Sequence, residues 1–206
     1  MFDNYSQLAT VTLKRVPSAA TNATRDETLV ERIAGGDQLA MQALFARHNV
    51  RVFRFILPVV KDATLTEDLV SDVFLDVWRT ASRFEARSAV STWLLAIAHY
   101  KALSALRRQP HEAVDEDEAL TIEDPSDDPE VALQKVDRSK MMQTCLAALS
   151  PDHRRIIDLA YYHEQSIDDV AKIVGIPVST VKTRMFYARK RLAELLATAG
   201  IDRATL

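Results

Sequence analysis

Residues 166–196 read "SIDDVAKIVGIPVSTVKTRMFYARKRLAELL", and their spacing predicts two short helices joined by a sharp turn. Ser166 with Asp169 is a helix start close to a capping box. Ala171 is small, as helices that cross closely require, and Gly175 falls where the turn needs a positive φ. Ile176 and Val181 are placed to fill the angle between the helices, and Ser179 to cap the second one. On that second helix Val181, Met185, Ala188, Leu192 and Leu195 recur at i, i+4, i+7, i+11 and i+14, which is one inward stripe. Lys182, Thr183, Phe186, Tyr187, Arg189 and Lys190 are left outside. Two rings among cations are poorly explained by solvation alone. A recognition helix in a major groove explains them: Lys182 and Thr183 reach base edges near the helix start, Phe186 touches thymine methyls, and Arg184, Arg189 and Lys190 hold phosphates. The competing reading is a helical hairpin used for protein contacts.

Upstream, charge divides the chain. Residues 109–131, "QPHEAVDEDEALTIEDPSDDPEV", hold ten carboxylates and neither Lys nor Arg, so a chain of net charge −3 leaves +7 for everything else. Pro110, Pro125 and Pro129 argue against one continuous helix there, and low hydrophobicity against a packed one. We read the segment as a flexible acidic linker between two basic-leaning pieces. A solvated tether with no further role is the plainer reading of such a segment.

In the front piece, "TEDLVSDVFLDVW" (residues 66–78) sets Leu69, Val70, Val73, Phe74, Val77 and Trp78 on a broad stripe for burial, with Thr64 or Thr66 as the cap. Asp68, Asp72 and Asp76 line the other edge at intervals of four, an arrangement that costs a helix roughly 0.2–0.5 kcal/mol per like-charged pair. Charge runs on helices usually serve solvation. Leu75 among these carboxylates instead resembles the apolar centre of a small interface with a charged rim. Two earlier helices are expected. One is built around Leu29, Val30 and Ile33 and stopped by Gly35-Gly36. The next starts near Asp37, turns Ala40, Leu44, Phe45, Val52, Phe53, Ile56 and Leu57 inward, and is ended or kinked by Pro58. After a polar loop, a helix from Thr92 carries Trp93, Leu94, Ile97, Ala98, Leu103 and Leu106 and finishes on Arg107 and Arg108. His99, Tyr100 and Lys101 fall on its other side, a mixture of rings and cations that suits unpaired nucleic acid. Arginines favour helix C-termini in any case.

The bounds narrow the function class. No apolar run approaches a membrane span, and the N-terminal residues lack the apolar core of a secretory signal, so a cytoplasmic protein is expected. Cys145 is the one cysteine, and in "MMQTCLAAL" it reads as a small core residue. The five histidines show no H-x-x-x-H pairing, so no metal is expected. Four glycines build no phosphate-cradling loop. The expectation is an all-α protein of two small helical domains, with no enzyme site, no cofactor and no small-molecule substrate.

The order "DETLVERIAGGD", "ALFARHNVRVFRFI", "TEDLVSDVFLDVWR", "STWLLAIAHYKALSALRR", a linker, and then "LSPDHRRIIDLAYYHEQSIDDVAKIVGIPVSTVKTRMFYARKRLAELL" resembles the extracytoplasmic-function sigma factors of bacterial RNA polymerase. The likeness covers about residues 26–108 and 138–197. It implies sigma region 2 over 26–108, the acidic linker over 109–137, region 4 over 138–198, and tails at 1–25 and 199–206. It also implies partners: core RNA polymerase through the clamp helices of its large subunit and its flap, promoter DNA, and an anti-sigma factor, without membrane insertion. By this resemblance Asp68, Asp72, Leu75, Asp76 and Arg79 form the polymerase face. The loop of Phe84, Glu85, Ala86, Arg87 and Ser88 receives a flipped base of the −10 element, and His99, Tyr100, Lys101, Arg107 and Arg108 flank the melted strand. Ser179, Thr180, Lys182, Thr183, Arg184, Phe186, Tyr187, Arg189 and Lys190 read the −35 element, and the linker threads a basic channel. The sequence departs from the family pattern at Tyr100 and Ser104, where Asn and Asp are common, and at Tyr187, where many members have Arg. The preferred promoter letters therefore do not carry over.

A conventional helix-turn-helix regulator binding DNA without polymerase is the rival reading, and it leaves the acidic helix without a purpose. A purely protein-binding adaptor would explain that helix but not Lys182, Phe186 and Arg189. A phosphodiester-cleaving enzyme lacks the carboxylate or histidine cluster that metal-assisted hydrolysis needs.

Overall fold

A computed structural model describes residues 24–108 and 141–199. The expected acidic linker lies outside those residues, as do the expected tails apart from residues 24, 25 and 199. Among the described residues the secondary structure is helical, with no strand. The chain divides into two compact units that part between Leu94 and Leu95.

In the first unit α1 (Asp26–Ala34) buries Leu29, Val30 and Ile33, as its pattern predicts, and ends where Gly35 and Gly36 follow. Gly36 has φ 85°, a conformation that a side chain would strain. Helix α2 (Gln38–Val60) is capped by Asp37, whose carboxylate accepts from the Leu39 and Ala40 amides and also pairs with Arg32. The helix continues two residues past Pro58 and closes at Lys61 in the left-handed region. Its buried side is Ala40, Leu44, His48, Val52, Phe55, Ile56 and Val60. The expected inward set is thereby corrected. Phe45 is exposed with its ring edge against Phe74, and Phe53 and Leu57 are half-buried. Phe55 takes the core place, because the stripe drifts slowly around a helix this long and Phe55, adjoining Ile56, faces the centre by its last turns.

His48 is held by Asp26, 2.6 Å away, and Arg47 donates to the same carboxylate and to the Thr24 carbonyl. Burial pushes the Asp26 carboxyl up, but the bonds from Arg47 and His48 outweigh it and hold it below its ordinary range. This cluster fastens the start of α1 to the middle of α2.

Helix α3 (Ala63–Thr80) is capped by Asp62, not by Thr64 or Thr66. The Asp62 carboxylate accepts from the Leu65 amide, and Thr66 is buried with its hydroxyl donating to the Asp62 carbonyl. Helix α4 (Val90–Arg108) begins in the first unit and runs on into the second.

In the second unit residues 141–147 are helical. Next comes α5 (Pro151–Ile157), capped by Ser150 and followed by one π-helical turn, Asp158–Tyr162. Arg154 donates to the carbonyls of Leu146 and Ala147, so a cation closes the preceding helix end. Cys145 is buried, in keeping with a packing role. Helices α6 (Ile167–Val174) and α7 (Val178–Thr198) complete the unit.

Candidate nucleic-acid interface

The turn between α6 and α7 has the geometry its sequence predicts. Ser166 accepts from the Asp169 amide, and its hydroxyl donates to the Asp169 carboxylate at 2.6 Å. Gly175 closes α6 at φ 73°. Ala171, Val170, Ile173 and Val181 are buried in the angle, whereas Ile176 is only half-buried. One expectation is corrected. Pro177 occupies the cap position of α7 without a side-chain bond, and Ser179 lies inside the first turn, its carbonyl accepting from Thr183. A proline cap leaves no amide to satisfy at that position.

Val181, Met185 and Ala188 anchor α7 inward, joined by Leu196, while Leu192 and Leu195 are half-buried. On the outside Lys182, Thr183, Phe186, Tyr187, Arg189 and Lys190 are all exposed, with Ser179 at the start and Thr180 half-buried. Phe186 is 63% exposed and Tyr187 54%, their rings edge to face. Arg184 departs from this group, because its guanidinium is paired with Asp152 of α5 at 2.9 Å. Arg189 lies over the ring of Tyr161, 5.4 Å from its centroid. The result is an exposed helix face with cations and flat rings near a helix N-terminus, the chemistry that meets base edges and phosphates in a groove.

The first unit presents two surfaces. On α3, Leu69, Val70, Val73, Phe74 and Val77 are buried, and the outward edge carries exposed Asp68, Asp72, Leu75 and Arg79 with half-buried Asp76. Leu75 is 49% exposed. Trp78, expected in the core, is 38% exposed beside it. It is the last residue of the predicted stripe, two positions before the helix ends. Leu75 and Trp78 stand three apart, so both belong to one exposed patch.

The second surface is the loop after α3. Arg83, Phe84, Glu85, Arg87, Ser88 and Trp93 line an open cavity of about 180 Å³. The Phe84 and Trp93 rings lie tilted at 38° with centroids 4.8 Å apart, and Arg87 pairs with Glu85. Ala86 between those two has φ 52°, left-handed for a residue that is not glycine. Sequence reasoning missed Arg83 and Trp93 as lining residues. The aromatic residue at the start of α4 was the available signal.

On α4, Tyr100, Arg107 and Arg108 are exposed and Lys101 is half-buried. His99 corrects the expectation, since it is buried at 7% exposure. Burial pushes its pKa down to about 4, with the Arg155 charge adding and Asp152 opposing. One step along a helix is about a hundred degrees of rotation, enough to put Tyr100 outside and His99 inside.

Comparison with known proteins bears on both units. Residues 44–111 match the family described as Sigma-70 region 2, and residues 139–192 match Sigma-70, region 4. The ECF RNA polymerase sigma factor SigK of Mycobacterium tuberculosis is 30% identical over 174 residues, covering 82% of this chain and 92% of SigK. This chain belongs to the extracytoplasmic-function sigma factors. The RNA polymerase sigma factor CarQ of Myxococcus xanthus is 32% identical over 176 residues, 84% of this chain and 98% of CarQ. Among solved structures, CnrH in complex with the cytosolic domain of CnrY matches with a TM-score of 0.61 at 24% identity, over 84% of this chain and 97% of CnrH. The sigma factor RpoE from Bartonella quintana, in complex with the anti-sigma factor NepR, matches with a TM-score of 0.58 at 25% identity, over 74% and 94%. As a sigma factor the protein acts in transcription initiation. No helix among its described residues is long and apolar enough to cross a membrane.

Proposed function

We propose that this sigma factor works in the cytoplasm as a non-enzymatic initiation factor and docks on the clamp helices of core RNA polymerase through the outward face of α3. Asp68, Asp72, Asp76 and Arg79 form the charged rim of that contact, with Leu75 and Trp78 as its apolar centre. The observation that carries the reading is this patch, a carboxylate row around exposed apolar side chains that the fold of the first unit leaves uncovered.

Region 2 spans 26–108 in this reading, region 4 spans 138–198, and residues 109–137 connect them. The cavity beneath Phe84, Arg87, Ser88 and Trp93 receives a base turned out of the −10 strand, where the rings stack and the cations hold the backbone. Tyr100, Lys101, Arg107 and Arg108 track that strand. His99 supports α4 from within and leaves the DNA-contacting set. Ser179, Thr180, Lys182, Thr183, Phe186, Tyr187, Arg189 and Lys190 meet the −35 duplex, with Arg184 held back by Asp152. By likeness to RpoE, solved with NepR, an anti-sigma factor restrains the protein until a signal releases it.

Runoff transcription with purified core enzyme and a randomised promoter pool tests the proposal. The expected outcome is RNA from a sequence-defined subset of templates, only when this chain is added. Tight, sequence-specific binding by the chain alone, with no transcription, would favour a conventional helix-turn-helix regulator.

A further inference from the structure

We propose that Tyr161 is a positioning residue for promoter binding: its ring holds the Arg189 guanidinium at the end of the basic face of α7, where the recognition helix meets the phosphate wall of the groove. The inference rests on the reading of α7 as the −35 recognition helix.

Three arginines of α7 are held in three ways. Arg184 is paired with Asp152 at 2.9 Å and Arg191 with Glu194 at 3.2 Å. Arg189 has no carboxylate partner among the described residues and lies instead over Tyr161. A carboxylate fixes a guanidinium and cancels its charge, whereas an aromatic face fixes it and leaves the charge in place. Arg189 is thus the arginine of the three that is oriented without a carboxylate beside it.

Its place on the helix matches a phosphate. Lys182, Phe186 and Arg189 stand at i, i+4 and i+7, one stripe along the exposed face. At about 1.5 Å per residue, Arg189 lies roughly 10 Å beyond Lys182 along the axis. A major groove is about 12 Å wide. With Lys182 at the base edges, Arg189 arrives at the backbone that borders them. A planar guanidinium there gives a charge-assisted contact to phosphate oxygens.

Tyr161 sits on the π-helical turn before α6, far from α7 in sequence, and 59% of it is exposed. A tyrosine so exposed contributes little core packing, and its ring lies against the Arg189 guanidinium. Held beforehand, the arginine need not be ordered when DNA arrives.

The test uses the full chain in holoenzyme with core RNA polymerase. Its probe is duplex DNA that the wild-type holoenzyme selects from a randomised pool, with binding followed from roughly 50 to 200 mM salt. Tyr161→Ala is expected to weaken binding about three- to tenfold and to lower the salt slope by about one, the change expected on losing one phosphate contact. Arg189→Ala should do the same, and the double variant should be no weaker than Arg189→Ala alone. Tyr161→Phe, which keeps the ring, should bind as the parent does. An unchanged slope in Tyr161→Ala overturns the proposal, as do losses that multiply in the double variant. A Tyr161→Phe as weak as Tyr161→Ala also overturns it, by showing that the hydroxyl meets DNA directly. If the wild-type holoenzyme selects no sequence at all, the promoter-reading role of α7 falls first and this inference with it.

Discussion

Helices α3 and α7 are built alike and charged oppositely. Each packs an apolar stripe inward, and each leaves rings or an exposed leucine on the outside among charges mostly of one sign. In α3 the sign is negative and the exposed apolar groups are Leu75 and Trp78. In α7 it is positive and they are Phe186 and Tyr187. The packing logic of an amphipathic helix does not ask for either face. What separates them is the partner each suits: carboxylates around an apolar centre fit a basic protein surface, and cations with flat rings fit DNA.

The sharpest way to break this contrast is to reverse the α3 face. Asp72→Lys with Asp76→Lys should weaken capture by core polymerase about a hundredfold, or about 3 kcal/mol, within the range of charge pairs lost at an interface. Thermal melting of the free protein should barely change. Equilibrium binding to labelled core enzyme reads the first quantity and calorimetry the second. Undiminished capture would assign the face to solvation only. A smaller effect comes from the apolar centre. Trp78→Ala should cost about tenfold in core affinity, since tryptophans carry a disproportionate share of interface energy, together with a measurable loss of stability, because 38% exposure leaves most of the side chain packed.

The third prediction sharpens the comparison from the other side. Gly175→Ala forces a side chain into the left-handed turn at a cost of about 1–2 kcal/mol, with open space around it. It should lower the stability of the second unit and its DNA contacts while leaving core capture through α3 intact, as urea denaturation and the core-binding assay would read in parallel. The smallest effect concerns pH. His99 has a folded pKa of about 4 against 6.5 when free, so the unfolded chain takes up the proton first, and stability is lost as pH falls from 6.5 toward 4. His99→Gln cannot take up that proton. Its denaturation midpoint should fall less than the parent's over that window and run parallel to it above pH 7.

Much of this was legible in the residues themselves. The i, i+4 stripes gave α3 and α7 and most of their buried sides, Gly175 gave the turn, and Ser166 with Asp169 gave its start. Three things were not legible, for separate physical reasons. Periodicity orders residues around a helix but does not say how far a neighbouring element reaches. The stripe therefore predicts Trp78 inside, whereas it is 38% exposed at the end of that stripe. Polarity is an incomplete guide to exposure, so it predicts His99 outside although the helix turns it inward. Pairings across elements leave no local trace. Asp152 with Arg184, and Tyr161 with Arg189, join positions some thirty apart in a chain whose local pattern reads each of them only as surface. Those two contacts decide which arginines of α7 remain available.

Ala86 bears on how such proteins diversify. Its left-handed backbone would suit glycine better, and it stands between Glu85 and Arg87, which pair with each other, two residues after Phe84, whose ring lies against Trp93. On the proposed reading of the cavity that these neighbours line, exchanging side chains on its rim would change the nucleotide it accepts while the helices on either side stay as they are, so a new promoter preference would not require a rebuilt domain.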